Sequence, residues 1–139
     1  MSTVKFAAAV LAISLCTMGS VQAQKPAADK DIVFTKTEVE PSFPGGLKGW
    51  RSFLEHNLNA ATPVDHGAGV GTYVVMVQFI VDADGQVHDI KALTNHGFGM
   101  EEEVVRLMKS SPKWIPATQN GRQVNAYQKQ PVTFVISNG

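Results

Sequence analysis

Residues 72–81, TYVVMVQFIV, restrict the fold more than any other stretch of the chain. β-Branched and aromatic side chains dominate, and Val75, Val77, Phe79 and Val81 alternate with Val74, Met76, Gln78 and Ile80. That period of two is the signature of a strand. Apolar residues on both faces predict a central strand, covered on at least part of both sides. DADG at 82–85 follows, a hairpin turn with Gly85 available for a positive φ. The chain then returns antiparallel through the more polar QVHDIKALT at 86–94. The apolar phase of this return shifts between Val87 and Ile90, which predicts a bulge near His88 and Asp89.

Two amphipathic segments flank the hairpin. Residues 47–59, LKGWRSFLEHNLN, carry Leu47, Trp50, Leu54 and Leu58 on one helical face with Phe53 beside them. Lys48, Arg51, Ser52, Glu55 and His56 occupy the other face, and Gly49 weakens the helix slightly. Pro41, Pro44, Gly45 and Gly46 enforce a turn before it. AATPVDHGAGVG reads as a long, pliable loop after it. The second segment, MEEEVVRLMKSS from Met100, puts Met100, Val104, Leu107 and Met108 on one face. Glu101, Glu102 and Glu103 in its first turn and Arg106 and Lys109 in its last complement the helix dipole. Pro112 stops it, and Trp114 and Ile115 are expected to pack on the core.

TQNGR at 118–122 is a turn centred on Asn120 and Gly121. The last strand follows over 123–136, with Val132, Phe134 and Ile136 on one side and Tyr127, Lys129, Pro131 and Thr133 on the other. Proline cannot donate to a ladder, so Pro131 places this strand at a sheet edge or a bulge. Ile32, Phe34 and Val39 fit either an extended segment or a poorly paired strand. The order helix, strand, strand, helix, strand predicts an α+β fold: two layers, a three-stranded antiparallel sheet with two helices on one face.

A chain of 139 residues suggests a single folded domain. Residues 1–23 have the pattern of a secretory signal peptide: Lys5, then the apolar FAAAVLAISLCTMG, then VQA before Gln24. The apolar run is about 14 residues, short of the roughly 20 that span a bilayer. The expected divisions are a signal peptide at 1–23, an N-terminal arm at 24–38 and a folded domain at 39–139. Cleavage removes Lys5 and Cys16, the chain's one cysteine. Of 12 basic and 12 acidic residues, 11 and 12 then remain, a net charge of −1. No basic field exists to hold nucleic acid. Disulfides, thiol catalysis and cysteine-based metal sites are all excluded from the mature chain.

Sites of reaction chemistry are not indicated. GAGVG at 67–71 follows a helix and opens a strand, the reverse of a phosphate-binding loop. His56, His66, His88 and His96 share no metal-ligand spacing. The three consecutive glutamates point in different directions on a helix and cannot converge on a cation. No G-x-S-x-G elbow is present. Trp50, Trp114 and Phe98 are better read as core than as a ligand platform. The sequence therefore points to a protein that is not an enzyme, with no cofactor, metal or small-molecule substrate.

Several segments in order resemble a known family. FPGG before an amphipathic helix, VVMVQFIVDADGQVHDI, a helix followed by SPKWIPATQNGRQV, and then QPVTFVI are similar to the C-terminal domain of TonB, the energy transducer. The resemblance covers roughly residues 39–136. It implies a periplasmic domain whose partners are outer-membrane receptors for siderophores, vitamins or glycans, or other envelope proteins. It also implies that a receptor segment adds as a strand to the exposed last strand. The partner-binding residues it implies are Tyr127, Lys129, Gln130, Val132, Thr133 and Phe134, with Gln119, Asn120 and Arg122 in the turn close by.

Full transducers of this family also hold a membrane helix and a long proline-rich spacer. Here about eight residues separate Gln24 from Ile32, a reach of about 28 Å. The expectation is a periplasmic binding module accessory to TonB-dependent transport. Its rivals are a membrane-anchored transducer using the proton-motive force and a structural protein that self-associates, as a homodimer for instance, or binds peptidoglycan.

Overall fold

The computed structural model describes residues 32–138. The expected signal peptide and the arm up to residue 31 lie outside the described residues. The elements in order are β1 (Val33–Phe34), α1 (Gly46–Asn57), α2 (Thr62–Asp65), β2 (Gly71–Val81), β3 (Val87–Ala92), α3 (Met100–Lys109), β4 (Ala117–Gln119) and β5 (Arg122–Ile136).

β2 is the central strand that its alternation predicts. It pairs antiparallel with β3 on one side and with β5 along Gly71↔Ile136 to Val81↔Ala126 on the other. The bulge also lies where the phase shift put it. The β2–β3 register slips between Gln78↔Lys91 and Ile80↔His88, and Asp89 takes φ 51°. An aspartate tolerates that left-handed backbone better than the β-branched residues around it.

The three-stranded antiparallel sheet is corrected to a mixed sheet of five strands, ordered β1-β5-β2-β3 with β4 paired to β5. β1 runs parallel to β5, and β4 forms a hairpin with it through Asn120 (φ 52°) and Gly121 (φ 74°). Two consecutive positive φ values match the right-handed twist of the flanking strands. Strands of two and three residues are too short to show a period, so only a tertiary partner defines them. Residues 39–42 add isolated bridges, Val39↔Thr118 and Ser42↔Ile115.

Both long helices pack on one face of the sheet, the layering expected. Val75, Val77, Phe79 and Val81 of β2 and Val132 and Phe134 of β5 meet Trp50 from α1 and Met100, Val104 and Met108 from α3. Phe43, Trp50, Phe53 and Trp114 form a ring cluster with centroid separations between 5.3 and 5.9 Å, and Trp114 also stands edge-on to Phe79 at 5.0 Å. Trp50 and Trp114 are thus core residues. Leu47 departs from its expected place. It is 81% exposed.

The loop expected to be pliable is built instead. Pro63, at the start of α2, is fully buried. The Tyr73 hydroxyl donates to the Gly69 carbonyl at 2.9 Å, and His66 Nδ1 lies 2.7 Å from the Thr62 carbonyl.

Candidate functional site: the outer edge of the last strand

Each residue of a β-strand aims its N–H and C=O to one side, and successive residues alternate. Two contacts fix the sense for β2. The Leu93 N–H donates to the Met76 carbonyl at 2.8 Å, and His96 Nε2 lies 2.7 Å from the Val74 carbonyl. Even-numbered residues of β2 therefore face β3, and odd-numbered residues face β5. Register then carries the parity across. Val75↔Val132, Val77↔Gln130 and Phe79↔Gln128 exchange ladder bonds, while Val74↔Thr133, Met76↔Pro131, Gln78↔Lys129 and Ile80↔Tyr127 do not. On β5 the backbone groups of Tyr127, Lys129, Pro131, Thr133 and Val135 consequently point away from β2.

Among the described residues, that outer edge meets a strand only at its head. β1 pairs with Asn125 and Ala126, and the chain bends away after Phe34. In a parallel ladder this register joins Asn125 to the residues on either side of Val33 and reaches Tyr127 from Phe34. Lys129, Thr133 and Val135 then present N–H groups to solvent. Pro131 lies in the same outward row, so its missing N–H costs the β2 ladder nothing. This is why an apolar strand tolerates a proline at its middle.

The side chains follow the same alternation. Tyr127, Lys129, Pro131, Thr133 and Val135 are exposed on the face away from the helices, Val135 at 71%. Gln128 and Gln130 are half-buried on the helix side. Val132 and Phe134, at 1% and 2% exposure, are core side chains whose backbone groups are taken by β2. They support the edge from beneath.

The turn residues lie further along. Gln119 accepts the Glu38 N–H at 3.0 Å and donates to the Glu38 carboxylate at 3.2 Å, which ties the turn to the segment after β1. Asn120 and Arg122 are exposed. The stretch paired to β1 separates this turn from Tyr127 and the residues beyond it. Asn125 escaped the sequence reading. It accepts the Ala83 N–H at 2.8 Å and donates to the Ile32 carbonyl at 3.4 Å, so it pins β1 and the β2–β3 turn to β5. An asparagine inside an otherwise regular strand was the available signal.

Elsewhere the polar groups serve structure. Buried Glu103 pairs with Arg106, whose guanidinium also donates to the Asn57 carbonyl at 2.8 Å. The hydrogen bond to Glu103 raises the Arg106 pKa above its ordinary value, against a smaller opposing effect of burial. Glu101 accepts the Gly97 N–H at 2.8 Å and the Thr94 hydroxyl at 3.0 Å, and so ties the loop before α3 to the helix's first turn. An open groove of about 560 Å³ lies over Asn59, Thr62, His66, Gly99, Glu102, Glu103 and Arg106. Among the described residues no three histidine, cysteine or acidic groups converge as a metal site, and no helix is long and apolar enough to cross a membrane. Phe98 stands apart from the two tryptophans, 41% exposed with φ 56°.

These features define an α+β domain whose last strand keeps a partly open edge. Residues 73–136, from β2 to the end of β5, match the family described as Gram-negative bacterial TonB protein C-terminal, in agreement with the resemblance carried by the sequence. Domains of that family are non-enzymatic modules for protein interaction in the cell envelope. Neither the curated proteins nor the solved structures contain a match.

Proposed function

We propose that this domain captures an extended segment of an outer-membrane receptor, or of another envelope protein, as a strand added to the outer edge of β5. Its role is accessory to TonB-dependent transport, in the periplasm, after export by the segment at 1–23. The supporting observation is the outward row at Lys129, Thr133 and Val135, which β2 leaves unpaired and β1 does not reach. Strand addition draws affinity from main-chain bonds and selectivity from alternate side chains. A guest laid there has Tyr127, Lys129, Pro131, Thr133 and Val135 beside its outer-face side chains and Gln128 and Gln130 beside the others.

The test is a photo-crosslinking amino acid at Lys129 or at Thr133, compared with the same group at Arg51 on the exposed face of α1. Crosslinks to an outer-membrane receptor or other envelope protein from the β5 positions, lost when the neighbouring outward residue is changed to proline, are the expected result. Equal crosslinking from Arg51, or indifference to the proline, overturns the reading.

A further inference from the structure

We infer that β1 is a displaceable strand that covers the head of the docking edge, so that the edge has a short state and a long state. The inference rests on the edge-capture reading and adds its regulation. Three features of the structure carry it.

The first is position. β1 lies on the outer side of β5 at Asn125 and Ala126, in line with the open row that starts beyond Tyr127. A guest strand that extends past Tyr127 meets β1 end to end. The two cannot occupy Asn125 together.

The second is the weakness of its hold. β1 has two residues, pairs parallel, and leaves Val33 and Phe34 only half-buried. Ile32 beside them is 49% exposed. A parallel pairing is slightly less stable per residue than an antiparallel one, and little apolar surface is lost when this one opens.

The third is the clamp behind it. Thr35 and Lys36 form an exposed bend, after which the chain is tied firmly to β4. Val39 and Thr118 exchange N–H···O bonds of 3.2 and 3.0 Å, and Ser42 and Ile115 exchange bonds of 3.1 and 2.8 Å. Glu38 and Gln119 add two more contacts. Opening at β1 therefore stops at the bend and leaves the core in place.

Two consequences follow by linkage. Capture of a long guest releases the chain ahead of residue 35. Removal of that chain from the edge lengthens the ladder offered to a guest, from Tyr127 back toward the turn at Asn120. The coupling is reciprocal, because both strands use the same backbone groups.

Amide hydrogen exchange on the whole chain tests displaceability with no partner present. The Phe34 and Asn125 amides are expected to exchange at least 100-fold faster than those of Gln128 and Gln130, with rates independent of low denaturant concentration, the mark of local opening. Exchange of all four through one global event overturns the inference.

A second arm compares Phe34→Pro, which removes an edge bond without touching the core, with wild type for binding to a purified outer-membrane fraction. Phe34→Pro is expected to keep the β2 amides protected and to bind about threefold or more tightly, since a tethered competitor at high effective concentration is gone. Weaker or equal binding overturns the competition between β1 and guest. Thr133→Pro in the same assay reports on edge capture itself, so the two failures are told apart.

Discussion

Met76 and Pro131 face each other across β2 and β5 at a pair that exchanges no ladder bonds. The side of β5 without an N–H at residue 131 is thus the side turned to solvent. Proline here interrupts whatever ladder an incoming strand could form, and interruption is a known defence of exposed edges against self-pairing. Pro131→Thr restores the outward donor. The expected outcome is concentration-dependent self-association in sedimentation velocity, with stability changed by no more than about 1 kcal/mol. A variant that stays monomeric at high concentration removes this role for Pro131.

The alternation along β5 makes adjacent positions respond oppositely to the same substitution. Thr133→Pro removes an outward amide, as Pro131 already does. Val132→Pro removes the bond to Val75 and disturbs a side chain that is 1% exposed. Chemical denaturation should show a loss of about 3 kcal/mol or more for Val132→Pro and about 1 kcal/mol or less for Thr133→Pro. Equal losses would mean that the outward row has been assigned to the wrong parity.

How much of this was legible follows from how local each cause is. The alternation of Val75, Val77, Phe79 and Val81 and the face of Met100, Val104, Leu107 and Met108 repeat often enough to declare themselves, and all eight are buried. The bulge at Asp89 was legible because one extra residue reverses the phase of a whole strand. β4 was not, since three residues carry no period and only Val124 and its neighbours across from it create the pairing; β1 stayed open between an extended segment and a poorly paired strand until its pairing with Asn125 and Ala126 decided it. Pro131 announced an edge. Which residues along that edge stay open was set by where β1 ends, a tertiary fact. The three glutamates looked equivalent in sequence, yet Glu101 holds the loop before α3 through the Gly97 N–H, Glu102 is exposed and Glu103 is buried against Arg106.

Arg106 joins α3 to the end of α1 by holding Glu103 with one part of its guanidinium and the Asn57 carbonyl with another. Arg106→Leu leaves a buried carboxylate without its cation. A loss of about 1–3 kcal/mol is expected, and the joint change with Glu103→Leu should recover part of it. The Arg106 pKa is raised, so its stabilising effect is complete below the ordinary arginine value and lost only above it. The difference between wild type and Arg106→Leu that comes from titration of Arg106 should therefore stay flat from about pH 6 to 9. A steep change of that difference within the window, traced to residue 106, would contradict the pairing.

Gly49 looked like a modest weakness in α1 and is instead the point where two backbones touch. A Cβ built there would stand 2.0 Å from the Pro44 carbonyl oxygen and 3.4 Å from the Phe43 ring. The FPGG segment folds back over the first turn of α1, and the carbonyl of its Gly45, at φ 83°, accepts the Gly49 N–H at 3.3 Å. Phe43 is thereby pressed against Trp50, Phe53 and Trp114. Gly49→Ala normally gains up to about 1 kcal/mol of helix propensity. Here the clash must displace Pro44 and with it Phe43, so a net loss of about 2 kcal/mol or more is expected in thermal or urea unfolding. The near-ultraviolet circular dichroism of the aromatic cluster should weaken with it. A Gly49→Ala variant as stable as wild type, with that signal intact, would show that the FPGG turn does not bear on α1 as described.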